Sequence, residues 1–445
     1  MTGLAIMSSR LIQQTTNTIK KMHTNSLRLL AIAFTSFLSV LTVTAEDKPP
    51  NIVVIISDDH GFNDYGFMGH PHIKTPHIDK LASESKVFTR GYVSTPLCCP
   101  SLTTMLTGLY SYQHGYTGND PVDGWSKRQK WLAHYKTLPQ LPKMLQEKGY
   151  LSLHTGKFWQ EDPIQVGGFT HSMGKTLRHG SQESLGIGRD GMQPVYDFID
   201  EAQDKEKPFM VWYAPFLPHT PHNPPARLEN KYKGIRNGTY FAMVDWLDET
   251  CGQLLGYLED KGLDENTVVL YISDNGWPGP HKVYPSELGM RTPIMIKWPG
   301  KVTPNMDVSN VASNIDLAPT ILSLAGLQKA AMMQGIDLLD TQAVESRKFV
   351  FGDNYHHDMA AADKPEASLR ARVAISNQWK LISWQEEQPD LREIPWLTPA
   401  PKQRYQLFNL QLDPFEKQNL AEDRPEIVEQ IEKTLDAWWV PNSLD

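Results

Sequence analysis

Long apolar runs alternate along the chain with stretches of helical periodicity. The run from Asn51 to Ser57 is continuously apolar between its polar ends, and similar runs occur at 150–154, 209–214, 268–273 and 293–298. A strand that is apolar on both faces suits the interior of a mainly parallel sheet, where helices cover both sides. Residues 77–85, 138–148, 195–203 and 240–261 lie between these runs and repeat their apolar positions at helical spacing. This alternation predicts an α/β domain over 46–335: a large, doubly wound, mainly parallel sheet flanked by helices. The pattern changes after that. Short strand-like segments at 372–376, 380–384 and 405–410, with turn-rich stretches between them and a last helix at 425–439, predict a small C-terminal α+β subdomain over 336–445 with a short antiparallel sheet.

The first 45 residues read differently. Arg10, Lys20, Lys21 and Arg28 precede an apolar run at 29–45 that ends in Val43, Thr44 and Ala45. A basic leader, an apolar stretch and a small-residue end predict a secretory signal peptide over 1–45, and a secreted or periplasmic mature protein. A retained anchor is the competing reading. The run falls short of the roughly 20 apolar residues that span a bilayer, so no stable membrane insertion is expected after cleavage. Hydrophobic residues are 40% and charged residues 21%, which is ordinary globular composition. The net charge of −8, with no block of Lys and Arg, excludes a nucleic-acid face. Three cysteines, two of them adjacent, make no disulfide framework, so the fold must rest on its core. Twelve Trp and sixteen Tyr suit sugar-stacking surfaces as well as core packing.

Two of the apolar runs end alike, one in Ser57, Asp58 and Asp59, the other in Ser273, Asp274 and Asn275. In open α/β sheets, ligands bind outside the carboxyl ends of strands. Three carboxylates and an amide gathered there would repel one another without a cation, and an oxygen-only set suits calcium, or magnesium, better than zinc. Asp and Asn also favour strand-end turns, but the repeated grammar points to a metal site. Between these runs lies Cys98, followed by Pro100 and, eight residues on, Gly108. Pro100 is expected at the first position of a helix that Gly108 ends. Cys98 then precedes a helix N-terminus, where free N–H groups would activate a thiol or hold an anion. A small buried hydrophobe is the other reading of a lone cysteine.

Cys98, Pro100 and Ser101, followed by Leu106, Thr107 and Gly108, resemble the signature of the type I (formylglycine-dependent) sulfatases of the alkaline phosphatase superfamily. Further landmarks in family order are the Asn51–Ser57 run with Asp58 and Asp59, residues 75–82, His219 between Pro218 and Thr220-Pro221, the Asp274-Asn275-Gly276 turn, Lys282 nine residues before Arg291, residues 314–320, and residues 405–420. The resemblance implies that Cys98 is oxidised to formylglycine by a formylglycine-generating enzyme. It implies that Asp58, Asp59, Cys98, Asp274 and Asn275 bind the divalent metal, and that Cys98, Lys157, His219 and Lys282 are catalytic. One hydroxyl of the hydrated aldehyde attacks sulfur and releases the alcohol; the other loses its proton and expels sulfate. The expected substrates are sulfate esters, of sulfated carbohydrates above all.

Two positions depart from the family pattern. Leu102 occupies the place of its usual Arg, and Trp159 that of a histidine given the base role in sulfate release. Trp cannot take a proton, so His171 and His179 become candidates for that role. His222 is a candidate second pocket group, and Cys99 and Cys251 are expected only to pack. Two other readings fit the same residues: a phosphate or phosphonate ester hydrolase of the same superfamily, and a catalytically silent binding protein for sulfated sugars, motivated by Leu102 and Trp159.

Overall fold

A computed structural model describes residues 48–124, 128–175, 179–277 and 281–442. The expected signal peptide lies outside the described residues. The centre of the protein is a nine-stranded sheet. Across it the strands run Ala312–Ser313, Lys86–Tyr92, Arg291–Lys297, Thr267–Ser273, Asn51–Ser57, Phe209–Tyr213, Leu151–His154 and His171–Ser172, with Asn305–Asp307 also pairing to Lys86–Tyr92. Asn51–Ser57 is the middle strand, and its apolar side chains divide between two cores. Ile52, Val54 and Ile56 join one, Val53 and Ile55 the other. Side chains alternate faces along a strand, so a run that is apolar at every position is buried on both sides.

Helices cover both faces. Gly238–Asp260 packs Met243, Leu247, Cys251 and Leu254 into one core, and Cys98–Thr107 is buried along its whole length in the other. The sheet is mixed where a purely parallel one would have been simpler. Arg291–Lys297 runs antiparallel to both Thr267–Ser273 and Lys86–Tyr92. The strand Lys86–Tyr92 was not anticipated, because Lys86, Thr89 and Arg90 interrupt its apolar pattern.

A separate four-stranded antiparallel sheet follows, in the order Val350–Tyr355, Leu369–Ile375, Trp379–Trp384, Tyr405–Asn409. The helix Pro425–Trp438 lays Val428, Ile431 and Leu435 against Ala374, Leu381 and Leu407 from this sheet. Three of its strands match expectation. Val350–Tyr355 was missed, because Gly352, Asp353 and Asn354 read as a turn.

Lys380, on Trp379–Trp384, ties this sheet to the segment after Lys282. Its ammonium is fully buried, 2.8 Å from Glu416 and 3.4 Å from Glu287. Removing one member of a buried charge cluster leaves the others unpaired. Lys380→Ala is therefore expected to lower the unfolding free energy by about 3–5 kcal/mol, read from the urea midpoint at constant slope. A midpoint unchanged by the substitution would show that this cluster contributes nothing to stability.

Candidate active site

The register of the two central strands assembles the site. Asn51–Ser57 and Thr267–Ser273 pair in parallel, with Ser57 opposite Ser273. Both strands end level, so Asp58-Asp59 and Asp274-Asn275 leave the sheet side by side. Asp59 takes a left-handed backbone (φ 59°), a conformation Asp tolerates better than most residues. The turn is fixed by two bonds: the Asp59 N–H donates to Asp274 Oδ1 at 3.0 Å, and Asn275 Nδ2 donates to Asp59 Oδ1 at 2.7 Å.

Three cationic or basic groups close over this acidic set. Lys157 Nζ lies 2.8 Å from Asp58 and 3.5 Å from Cys98 Sγ. Lys282 Nζ lies 2.8 Å from Asp59 Oδ2 and 3.4 Å from His219 Nε2, and His219 Nε2 is itself 3.4 Å from Asp59. Lys157 follows the end of Leu151–His154 through Gly156, which adopts φ +81°. A Cβ on Gly156 would lie 1.8 Å from the Ala214 carbonyl oxygen, so only glycine allows this turn. His219 follows the end of the neighbouring strand, Phe209–Tyr213. The four expected catalytic residues therefore meet in one place, and Cys98, His219 and Lys282 line one cavity of about 520 Å³ together with Asp59.

Electrostatics show how tightly the set is balanced. Burial works to raise the Asp59 carboxyl, but Lys282, His219 and Lys157 outweigh it and hold Asp59 well below the carboxylate range. Asp274 moves the other way: burial, and then the charge of Asp58, push it well above its ordinary value. Burial works against charge on Lys157 and Lys282, yet Asp58 and Asp59 respectively keep both ammonium groups charged. Burial and the nearby Lys157 lower His219 to about 4, so its ring is neutral at pH 7.

The donor set fits a hard divalent cation. Asp274 Oδ2 and Asn275 Oδ1 are buried and meet no hydrogen-bond donor. Buried oxygens without a partner are costly, and a calcium or magnesium ion takes ligands of this kind. Asp58, Cys98 and Asp274 bring ligand atoms within 4.8 Å of one another, as do Asp58, Asp59 and His219.

Several expectations need correction. The helix begins at Cys98 itself, which puts Pro100 in its third position, not its first. Nor is its N-terminus rich in free donors. The Cys99 N–H donates to Asn119 Oδ1 at 3.0 Å, Pro100 has none, and the Ser101 N–H donates to the Leu97 carbonyl. Positive charge near Cys98 comes instead from the two lysines. Burial pushes the Cys98 thiol well up, so it is not an activated thiolate. Cys99 and Cys251 pack in the two cores, as expected.

The candidate histidines separate. His171 lies near Glu201, 3.2 Å away, and packs on Phe198, outside the cavity. His179 lines the cavity, with its ring 5.4 Å from Trp159 and 6.3 Å from His219. His222 lines a neighbouring cavity with Tyr240, and Trp277 is shared by both. Leu102, one helical turn beyond Cys98, belongs to the apolar core. Sequence reasoning missed Asn119, His357, Trp396 and Thr398, which also line the cavity and come from segments far apart along the chain. Only the abundance of aromatic residues hinted at them.

Residues 50–327 match the sulfatase family, and residues 276–439 match the N-sulphoglucosamine sulphohydrolase C-terminal family. The chain belongs to the sulfatase family, whose members are sulfuric ester hydrolases. It is 29% identical to the N-acetylgalactosamine-6-sulfatase of Canis lupus familiaris over 66% of this chain, and it spans about two thirds of that protein's length (66%). It is 24% identical to the N-acetylgalactosamine-6-O-sulfatase of Bacteroides thetaiotaomicron, covering 88% of this chain and 93% of the relative. Among solved structures, Ps i-CgsB in complex with k-i-k-neocarrahexaose has the same fold, with a TM-score of 0.68, 23% identity, and coverage of 88% of this chain and 93% of that one.

Asp59 touches Asp274, Asn275, Lys282 and His219 at once, so its loss should dismantle the metal site. Asp59→Ala is expected to abolish divalent-cation binding at this acidic set, measured by elemental analysis of protein dialysed against calcium or magnesium. Activity should fall at least about a thousandfold with it. Retention of both would place the metal elsewhere.

Proposed function

We propose that the protein hydrolyses sulfate esters of carbohydrates, using a formylglycine made from Cys98 and a calcium ion held by Asp58, Asp59, Asp274, Asn275 and the oxidised Cys98 side chain. One observation carries the reading: Cys98, Lys157, His219 and Lys282 converge on the acidic set at the carboxyl ends of the central strands. A matured Cys98 would supply a nucleophilic hydroxyl and a way to release sulfate without an external water. A sulfate ester is anionic, so its attack by an oxygen requires positive charge fixed around the sulfur. In this reading Lys157, beside Cys98, and Lys282, which lines the same cavity, supply that charge.

His219 orients one of them. Its Nδ1 faces the Thr220 carbonyl, which only accepts, so Nδ1 carries the hydrogen and Nε2 presents a lone pair to Lys282. His179 is assigned the base role that Trp159 cannot fill, because it lines the same cavity and packs on the Trp159 ring. The mammalian and bacterial relatives are an N-acetylgalactosamine-6-sulfatase and an N-acetylgalactosamine-6-O-sulfatase, and the solved neighbour is in complex with k-i-k-neocarrahexaose. These support a sulfated carbohydrate as substrate. A protein that only binds sulfate would use the two lysines but would have no chemical need for a nucleophile precursor 3.5 Å from one of them. We also assign residues 1–45 as a signal peptide and the mature chain as secreted or periplasmic, with Glu46 expected at the N-terminus of the exported protein.

Protein made alongside a formylglycine-generating enzyme should yield a Cys98 peptide whose mass reflects an aldehyde in place of the thiol-bearing side chain. Cys98→Ala should lose at least about a thousandfold in kcat/KM. An unmodified Cys98 in fully active protein overturns this mechanism. The two candidate histidines give a further contrast. His179→Ala is expected to lower kcat by about 100-fold or more, in the range of general acid–base catalysis. His171→Ala should change it less than about twofold, since its partner is a surface glutamate. The reverse ranking would move the base role to His171.

A further inference from the structure

A second cavity, of about 620 Å³, adjoins the one over Cys98 and is larger than it. Cavities of roughly 300–1,000 Å³ are of the size that holds small ligands. Two features join the pair. Trp277 lines both, and the loop that brings His219 and Thr220 to the first brings His222 to the second. Neither the metal set nor the two lysines reach into the second cavity.

Part of its lining is aromatic. The His222 ring lies 5.6 Å from that of Tyr240 and 5.9 Å from that of Trp277, and the Tyr240 and Trp277 rings are 5.9 Å apart, so the three form one cluster. Tyr240 is anchored beneath it: its hydroxyl donates to Asp64 Oδ2 at 3.0 Å and accepts from the Gly61 N–H at 3.2 Å. The rest of the lining is polar, with Asn230, Asn237 and Thr239. These come from a closely packed turn, in which a Cβ on Gly238 would lie 2.3 Å from the Tyr232 carbonyl oxygen.

The loop between the cavities is held by one cation. The Arg189 guanidinium donates from Nε to the Phe216 carbonyl at 3.0 Å, from Nη2 to the His219 carbonyl at 3.1 Å, and from Nη1 to Asn223 Oδ1 at 2.6 Å. His219 and His222 both lie within the span it fixes, so their spacing is set before any ligand arrives. A site arranged in advance loses less entropy on binding.

Other occupants fit this lining less well. A ligand of high charge is disfavoured, because Glu229 and Lys233 line the same cavity with opposite sign. A wholly apolar ligand would desolvate the Asn230 and Asn237 amides without pairing them. A sugar unit satisfies both parts of the lining, through its C–H face and its hydroxyls.

We propose that this cavity is a second sugar subsite, in which a unit adjoining the sulfated one packs against His222, Tyr240 and Trp277 while the ester-bearing unit occupies the cavity over Cys98. The inference rests on the carbohydrate sulfatase reading above and narrows the substrate to an oligosaccharide, as against a sulfated monosaccharide.

The test is calorimetric titration of Cys98→Ala protein with tetrasaccharides prepared from chondroitin sulfate, heparin and carrageenan. At least one should bind, and adding His222→Ala should weaken that binding by about fivefold or more. His222 is the deciding position, because Trp277 also lines the cavity over Cys98. His222→Phe keeps an aromatic face in the same place, so it should bind about threefold or more tighter than His222→Ala. Urea midpoints matching the Cys98→Ala parent show that the variants are folded. If the His222→Ala midpoint moves, Asn230→Ala decides instead: it is exposed, and a loss of about threefold or more is expected. A smaller loss in the deciding variant overturns the proposal, and so does a His222→Phe protein that falls short of its recovery. A Cys98→Ala protein that binds none of the tetrasaccharides overturns it too. In that case, hydrolysis of 4-nitrophenyl sulfate by the matured wild-type protein would leave the sulfatase reading intact. Sugar binding that depends on His222, in a wild-type protein that hydrolyses no sulfate ester, would uphold the subsite and remove the sulfatase reading.

Discussion

The in-register pairing of two parallel strands, with Ser57 opposite Ser273, is the constraint on which the rest of the site depends. Adjacent strands lie about 4.8 Å apart, so level ends bring Asp58, Asp59 and Asp274, all buried, within mutual repulsion. Such a set is tolerable only if positive charge is brought to it. Lys157 meets Asp58 from the end of Leu151–His154, and Lys282 meets Asp59 from a loop preceding Arg291–Lys297. The opposite shifts of Asp59 and Asp274 express the remaining imbalance. Asp59 has a lysine at hydrogen-bonding distance and stays ionised, whereas Asp274 faces Asp58 and is pushed toward protonation. A divalent ion would resolve that conflict, which ties the metal to the sheet's geometry.

Much of this was legible in the sequence because it is local. A continuous apolar run identifies a strand buried on both faces, and the acidic pair that follows it must sit at that strand's end. Two such runs with the same ending then point to one shared site. Asn51–Ser57 and Thr267–Ser273 behave in this way. Lys86–Tyr92 and Val350–Tyr355 were not legible, because their polar residues find partners only after folding. Arg90 donates to the Ser376 carbonyl, and Asp353 is buried against Thr95 and Tyr355. Single-sequence patterns register the polarity of such residues and cannot register the partner.

The candidate histidines show the same limit at the scale of a loop. His171 and His179 are eight residues apart in one polar stretch, and no periodicity assigns them to a face. The short pairing of His171–Ser172 with Leu151–His154 turns His171 toward Glu201. His179 instead comes back over the Lys157 segment, where its carbonyl accepts from the Phe158 N–H at 3.0 Å. Asn119, His357 and Trp396 were even less accessible, since what unites them is the pairing of Asp120-Pro121 with Asp358-Met359, the bond from Asn119 to the helix of Cys98, and the ring contact of His357 with Trp396.

The two departures from the family pattern fall on groups of one kind. Leu102 and Trp159 replace polar side chains with apolar ones, and both are buried within the same core as Cys98. Neither departure leaves a charge that could balance the acidic set, so that balance rests on Lys157 and Lys282. They remove side chains that could hold or take a proton beside the nucleophile, and they shift that work onto what is left. Lys157 lies 3.5 Å from Cys98 Sγ and is simultaneously committed to Asp58. Its position is set by Gly156, the one residue type that can pass the Ala214 carbonyl at that distance. In this chain, then, Lys157 joins Asp58 to the Cys98 side chain, and a glycine turn after Leu151–His154 sets where it stands.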